Sequence, residues 1–125
     1  MLETLKVSAA LPAAAKVIYK AWLNSRQHTE MTGGKAVVSS KIGGRFKAWD
    51  GYITGKNIEL VKDKRIIQLW RSSEFSENDL DSLLVVNLED VSDGCKVTIV
   101  HSQNTNYKQG WIDYYLLPMK SYFKK

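Results

Sequence analysis

The sequence predicts an α+β domain in which an antiparallel sheet is closed by a long C-terminal helix. Three observations predict it. The last stretch, 107–125, gathers Trp111, Ile112, Tyr114, Tyr115, Leu116, Leu117, Met119, Tyr122 and Phe123 into one segment. Between Lys35 and Gln103, short apolar-rich runs are separated by turn signals such as Asp50-Gly51 and Asp93-Gly94, the pattern of consecutive hairpins. Neither a Gly-rich phosphate loop nor an alternating strand–helix–strand pattern is present, which argues against a doubly wound nucleotide fold.

The helix rests on spacing. Trp111, Tyr115, Pro118 and Tyr122 draw one stripe, and Ile112, Leu116, Met119 and Phe123 draw a second beside it, together a wider apolar arc than a surface helix needs. Pro118 removes a backbone donor and is expected to kink or loosen the helix. Lys120, Lys124 and Lys125 stand at its end, where cations suit the helix dipole.

The elements follow in order. Leu5, Val7, Ala9 and Leu11 alternate with Thr4, Lys6, Ser8 and Ala10, which predicts a half-buried strand. Pro12 is expected to open a helix that buries Val17, Ile18, Ala21 and Trp22. Asn24 ends it and caps a second short helix, with Gln27 at the capping-box position and Gly33-Gly34 as the stop. Six strands are then expected: 36–39, 45–49, 52–61, 65–74, 80–91 and 95–103, with Gly55 a bulge or a point of close approach. Short links make them an antiparallel meander. The segment 104–109 leads into the closing helix.

Composition narrows the function classes. At 125 residues, with 44% hydrophobic and 25% charged, the chain reads as one domain, 1–125, with a real core. It has no apolar run of membrane-spanning length and no basic segment ahead of an apolar core, so neither a membrane span nor a secretory signal is expected. The single cysteine, Cys95, fits a reducing compartment and a cytoplasmic location. The net charge of +5 is spread along the chain without an arginine-rich run; nucleic acid is not an expected partner, and attraction to an acidic protein surface accounts for the charge.

Ile42-Gly43-Gly44-Arg45-Phe46, Asp50-Gly51, Ile53-Thr54-Gly55, Glu59-Leu60-Val61, Arg65-Ile66-Ile67 and Trp70-Arg71 stand in an order that, with Gly110-Trp111, Tyr114-Tyr115 and Pro118-Met119-Lys120, resembles the START-like helix-grip superfamily, also called birch-allergen-like. Within it the chain is similar to the branch named after the activator of the heat shock protein 90 ATPase, over nearly its whole length. The resemblance implies a START-like helix-grip fold, in which a curved sheet grips the C-terminal helix and leaves a cavity between them. In the eukaryotic activators it implies a longer protein, whose separate N-terminal domain engages the chaperone; nothing in these 125 residues resembles that domain.

No catalytic constellation is legible. His28 and His101 lie in different elements without ligands at metal spacing, and read as surface or edge histidines. His101, in phase with Val97 and Ile99, would offer a polar contact to a cavity ligand if it turns inward. Cys95 reads as a small apolar residue at a strand end. Asp79, Asp81, Glu89 and Asp90 read as solubilising loop and edge charges. The expected ligand contacts are Phe46, Trp70, His101, Trp111 and Tyr115, each also serviceable as core. The expectation is therefore a non-enzymatic domain, without cofactor or metal, that holds a small hydrophobic or aromatic ligand. A chaperone-associated regulator is the alternative, and a cyclase-like or hydrolase-like enzyme the third. The expected state is a monomer or a weak dimer, with Val85, Val86 and Leu88 on both faces of one strand as a sheet edge.

Overall fold

Period-two alternation builds the sheet from its first strand. Thr4–Leu11 (β1) turns Val7 and Leu11 inward and Lys6 and Ser8 outward. The structure, a computed structural model, describes residues 4–75, 77–102 and 111–124. Two helices follow, α1 (Ala15–Trp22) and α2 (Ser25–Thr32). Then come β2 (Arg45–Ala48), β3 (Ile53–Val61), β4 (Arg65–Ser72), β5 (Ser82–Val91) and β6 (Gly94–Ser102). They form one antiparallel sheet of six strands in the order β1-β6-β5-β4-β3-β2. Strands β2 to β6 make an antiparallel meander of five strands instead of the expected six, and β1 returns to pair with β6 as the sixth strand of the sheet.

Segment 36–39 makes a single bridge, Val37 to Lys47, instead of a strand. The other edge of the segment is bound to helix α2. The Thr29 hydroxyl bonds the N–H and C=O of Ala36, and Ser25 Oγ accepts from Val38 N at 2.9 Å. Because Val37 N and O both pair with Lys47, these groups of Ala36 and Val38 lie on the edge turned away from β2 and tie the segment to α2. Asn57 Nδ2 fixes the next turn by donating to Ser39 O and Lys41 O.

Both short helices are capped by side chains. Asn24 Oδ1 accepts from Gln27 N at 2.9 Å, and Gly33 closes α2 in the left-handed region at φ 83°. Helix α1 starts at Ala15, three residues beyond Pro12, because Asp90 on β5 accepts the Ala15 N–H at 2.7 Å. Asp90 is thus a capping group and not only an edge charge. Ala15 replaces Val17 in the buried face; Val17 is 43% exposed.

The closing helix is described from Trp111; its expected first residues, 107–110, and the lead-in 104–109 lie outside the described residues. Ile112–Leu116 forms a π-helical turn, and Leu117–Phe123 (α3) continues as α-helix. The Leu117 N–H bonds Ile112 O, five residues back. Pro118 has no N–H to offer Tyr114, and its ring crowds that carbonyl. The expected disturbance therefore takes the form of a widened turn immediately before the proline.

Alternate residues of all six strands face the helices and make one core with Ile18, Trp22, Met31, Leu116 and Met119. Gly55 is the point of close approach: a Cβ there would run into Leu69 O and the Phe46 ring. The bulge lies further on, between Asn57 and Glu59, where the register shifts. Strand β5 is flanked by β4 and β6, so Val85, Val86 and Leu88 are not on a sheet edge; β1 and β2 are the outer strands. Among the described residues, no helix is long and apolar enough to cross a membrane.

Candidate functional site

An aromatic-walled cavity of about 390 Å³ opens between the sheet and the C-terminal helix. The sheet contributes Ile53 from β3, Trp70 and Ser72 from β4, Ser82 from β5 and His101 from β6. The π-helical segment contributes Trp111, Tyr114 and Tyr115, and the loops between strands add Trp49, Tyr52 and Phe75.

Of the residues singled out in the sequence, Trp70, His101, Trp111 and Tyr115 stand in this wall. Their rings touch: Trp70 and Trp111 centroids are 4.9 Å apart, and Trp111 and Tyr115 are 4.8 Å apart. Phe46 is not a wall residue. It packs behind Trp70, 5.9 Å between centroids, and against Gly55.

Both histidines are buried, at 2% and 3% exposure for His28 and His101, which corrects the surface reading. Each is held by one ring of the closing helix, with opposite tautomers. Trp111 Nε1–H donates to His101 Nδ1 at 3.1 Å. An indole only donates, so Nδ1 is the unprotonated nitrogen and Nε2–H faces Ser82 Oγ at 2.7 Å. Ser82 in turn donates to Trp70 O at 2.9 Å. At His28 the order reverses. Nδ1–H donates to Trp22 O at 2.8 Å, and Tyr115 donates its hydroxyl to Nε2 at 3.0 Å. Burial lowers the pKa of both, that of His101 to about 4. Burial also pushes the Tyr115 phenol up, against a smaller opposing pull from the Trp49 side chain. The rings are therefore neutral at pH 7, and the nitrogen lone pair of each already accepts a hydrogen bond.

A second buried polar chain lies beneath the aromatic wall. Gln68 Oε1 accepts from Trp70 Nε1 at 2.9 Å and from Trp22 Nε1 at 3.4 Å, while Gln68 Nε2 donates to Asn57 Oδ1 at 2.8 Å. The indole N–H groups of Trp22, Trp70 and Trp111 are thus bonded within the protein, which leaves mainly apolar ring surface for the cavity.

The mouth is shaped by loops. Trp49 has φ 53° and Asp50 φ 58°, a left-handed pair of non-glycine residues ahead of Gly51 at φ 91°. This turn sets Trp49 against Tyr115 and edge-on to Tyr114, with centroids 5.9 and 5.7 Å apart. Arg71 anchors the other side. It pairs with Asp81 at 3.0 Å, donates to Asp79 O at 2.8 Å and lies 5.6 Å from the Phe75 ring centroid. Asp81 is therefore an anchor for the Phe75 loop as well as a loop charge.

Sequence reasoning missed Trp49, Tyr52, Ile53, Phe75, Tyr114 and the wall serines Ser72 and Ser82. Ser72 and Ser82 were within reach, since Gln68, Trp70 and Ser72 share one inward phase of β4. Trp49 and Phe75 sit in turns where no periodicity applies, and Tyr114 is aimed by the π-helical segment. Among the described residues, no group of three or more His, Cys, Asp or Glu could hold a metal ion.

Residues 12–123 match the family model described as Activator of Hsp90 ATPase homolog 1-like protein. The chain belongs to this family. A 42-residue stretch is 40% identical to the mouse (Mus musculus) protein Activator of 90 kDa heat shock protein ATPase homolog 2, covering 34% of this chain and 13% of that much longer relative. The fold is similar to that of an HSP90 activator from Plasmodium falciparum, with TM-score 0.86, 21% identity, and 97% of this chain and 96% of that one covered. It is also similar to the Aha1 dimer from Colwellia psychrerythraea, with TM-score 0.82, 16% identity, and 97% and 96% covered. At these identities the structural likeness is one of fold. This member of the activator family has the helix-grip architecture that its sequence predicted.

Proposed function

We propose that this domain is a non-catalytic binding module that holds a small hydrophobic or aromatic molecule in the cavity between sheet and C-terminal helix. The cavity itself carries the reading. Its volume falls in the range of small-molecule sites, and its wall is ring surface with a few fixed polar groups. The non-catalytic part is supported by the hydrogen bonds of His101, which has Nδ1 taken by Trp111 and its proton turned to Ser82. It is poorly placed to act as a general base. The test is native mass spectrometry on protein purified gently from its host, followed by a tryptophan-fluorescence titration with neutral aromatic compounds. A reproducible adduct or a saturable titration is expected. A bare chain mass together with no saturable response would end the reading.

A second reading rests on the family and on the net charge of +5: the domain regulates an ATPase chaperone of the heat shock protein 90 type by binding that chaperone's acidic surface. It predicts binding that weakens as salt rises. An unchanged chaperone ATPase rate and unchanged NMR spectra at low salt would remove it. The two readings are compatible. Both accord with a cytoplasmic location.

A further inference from the structure

The cavity's polar groups narrow what it would take. Ser72 lies in the wall, 6% exposed. Its Oγ accepts from Glu74 N at 3.1 Å, and among the described residues no acceptor takes its own proton. The other buried polar groups of the wall are engaged. Ser82 Oγ lies between His101 and Trp70 O, and Tyr115 donates to His28. A buried hydroxyl with an unspent donor costs free energy until an acceptor reaches it. No lysine, arginine, aspartate or glutamate stands among the described wall residues, so a carboxylate or phosphate would lose its hydration without a counter-charge. The many aromatic faces would welcome a quaternary ammonium, but such a group brings no acceptor for Ser72.

Resting on the binding reading above, we infer that the ligand is a neutral, planar aromatic molecule bearing one hydrogen-bond acceptor, such as a carbonyl oxygen, and that Ser72 is the residue that selects it. The rings of Trp70, Trp111 and Tyr115 supply the apolar contact, and the Ser72 hydroxyl reads the acceptor's position.

Isothermal titration with four naphthalenes tests this: 2-acetonaphthone (neutral, with acceptor), 2-ethylnaphthalene (neutral, without), 2-naphthoate (anionic) and trimethyl(2-naphthyl)ammonium (cationic). The ketone is expected to bind tightest, about five- to tenfold over the hydrocarbon, the worth of one net hydrogen bond. In Ser72→Ala the ketone should fall to the hydrocarbon's affinity while the hydrocarbon is unchanged, which also shows that the variant is folded. Equal binding of ketone and hydrocarbon by the native protein overturns the role of Ser72 and leaves cavity binding standing. Preference for the naphthoate or the ammonium overturns the neutral class. Failure of all four to bind overturns the binding reading itself.

Discussion

Trp111 Nε1–H donates to His101 Nδ1 at 3.1 Å, and that bond decides where the His101 proton resides. Adding a second proton would set two donors against each other inside the core. Burial acts in the same direction, and the His101 pKa is lowered from 6.5 to about 4. The closing helix thus does more than cover the sheet: its Trp111 and Tyr115 each fix one buried histidine.

Stability should fall on mild acidification. The unfolded chain takes up a proton at His101 near pH 6.5, whereas the folded chain does so only near pH 4. Between those values the unfolded state binds more protons, so stability rises with pH across the window and is flat above it. From pH 7 to pH 5 the loss from His101 is about 2 kcal/mol, and His28, shifted in the same direction, adds to it. Urea unfolding at the two pH values measures this. Equal midpoints would contradict the buried neutral histidines.

Gln68→Leu should be costly although it is nearly isosteric and apolar. It strands the indole N–H groups of Trp70 and Trp22 and the Oδ1 of Asn57. The expected loss is roughly 2 to 4 kcal/mol by denaturant unfolding. A neutral or stabilising outcome would show that these donors find other partners.

Gly34→Ala should act on the cavity mouth. A Cβ at Gly34 would overlap the Trp49 ring, and Trp49 must move off the wall to make room. Affinity for a neutral aromatic probe is expected to drop about fivefold, the worth of one ring contact. Unchanged affinity would mean that Trp49 is not a wall residue in solution.

The sheet was legible because its signals are local: period-two alternation and Asp-Gly turns name the strands, and Asn24, Gln27 and Gly33 name the ends of α2. Segment 36–39 pairs with β2 at Val37 alone, while Ala36 and Val38 bond Thr29 and Ser25 and Ser39 O accepts from Asn57, tertiary bonds that no propensity contains. The candidate site was half legible. Trp70 and His101 follow from strand phase, and Trp111 and Tyr115 from the helix stripe. Phe46 has an inward phase too, but at β2 inward means behind Trp70. Trp49 depends on a left-handed turn and Tyr114 on the π-helical segment before Pro118; both place side chains by backbone geometry that the residue pattern does not encode.

The most direct test of the cavity reading is the set of four indole N–H signals in a ¹H–¹⁵N NMR spectrum, assigned by single Trp→Phe variants and followed during titration with 2-acetonaphthone. Trp49, Trp70 and Trp111 line the cavity, and Trp22 lies outside its wall. Saturable shifts of the first three with one common dissociation constant are expected, with a smaller response from Trp22. No saturable shift in any of the three, up to the solubility of the probe, would contradict it.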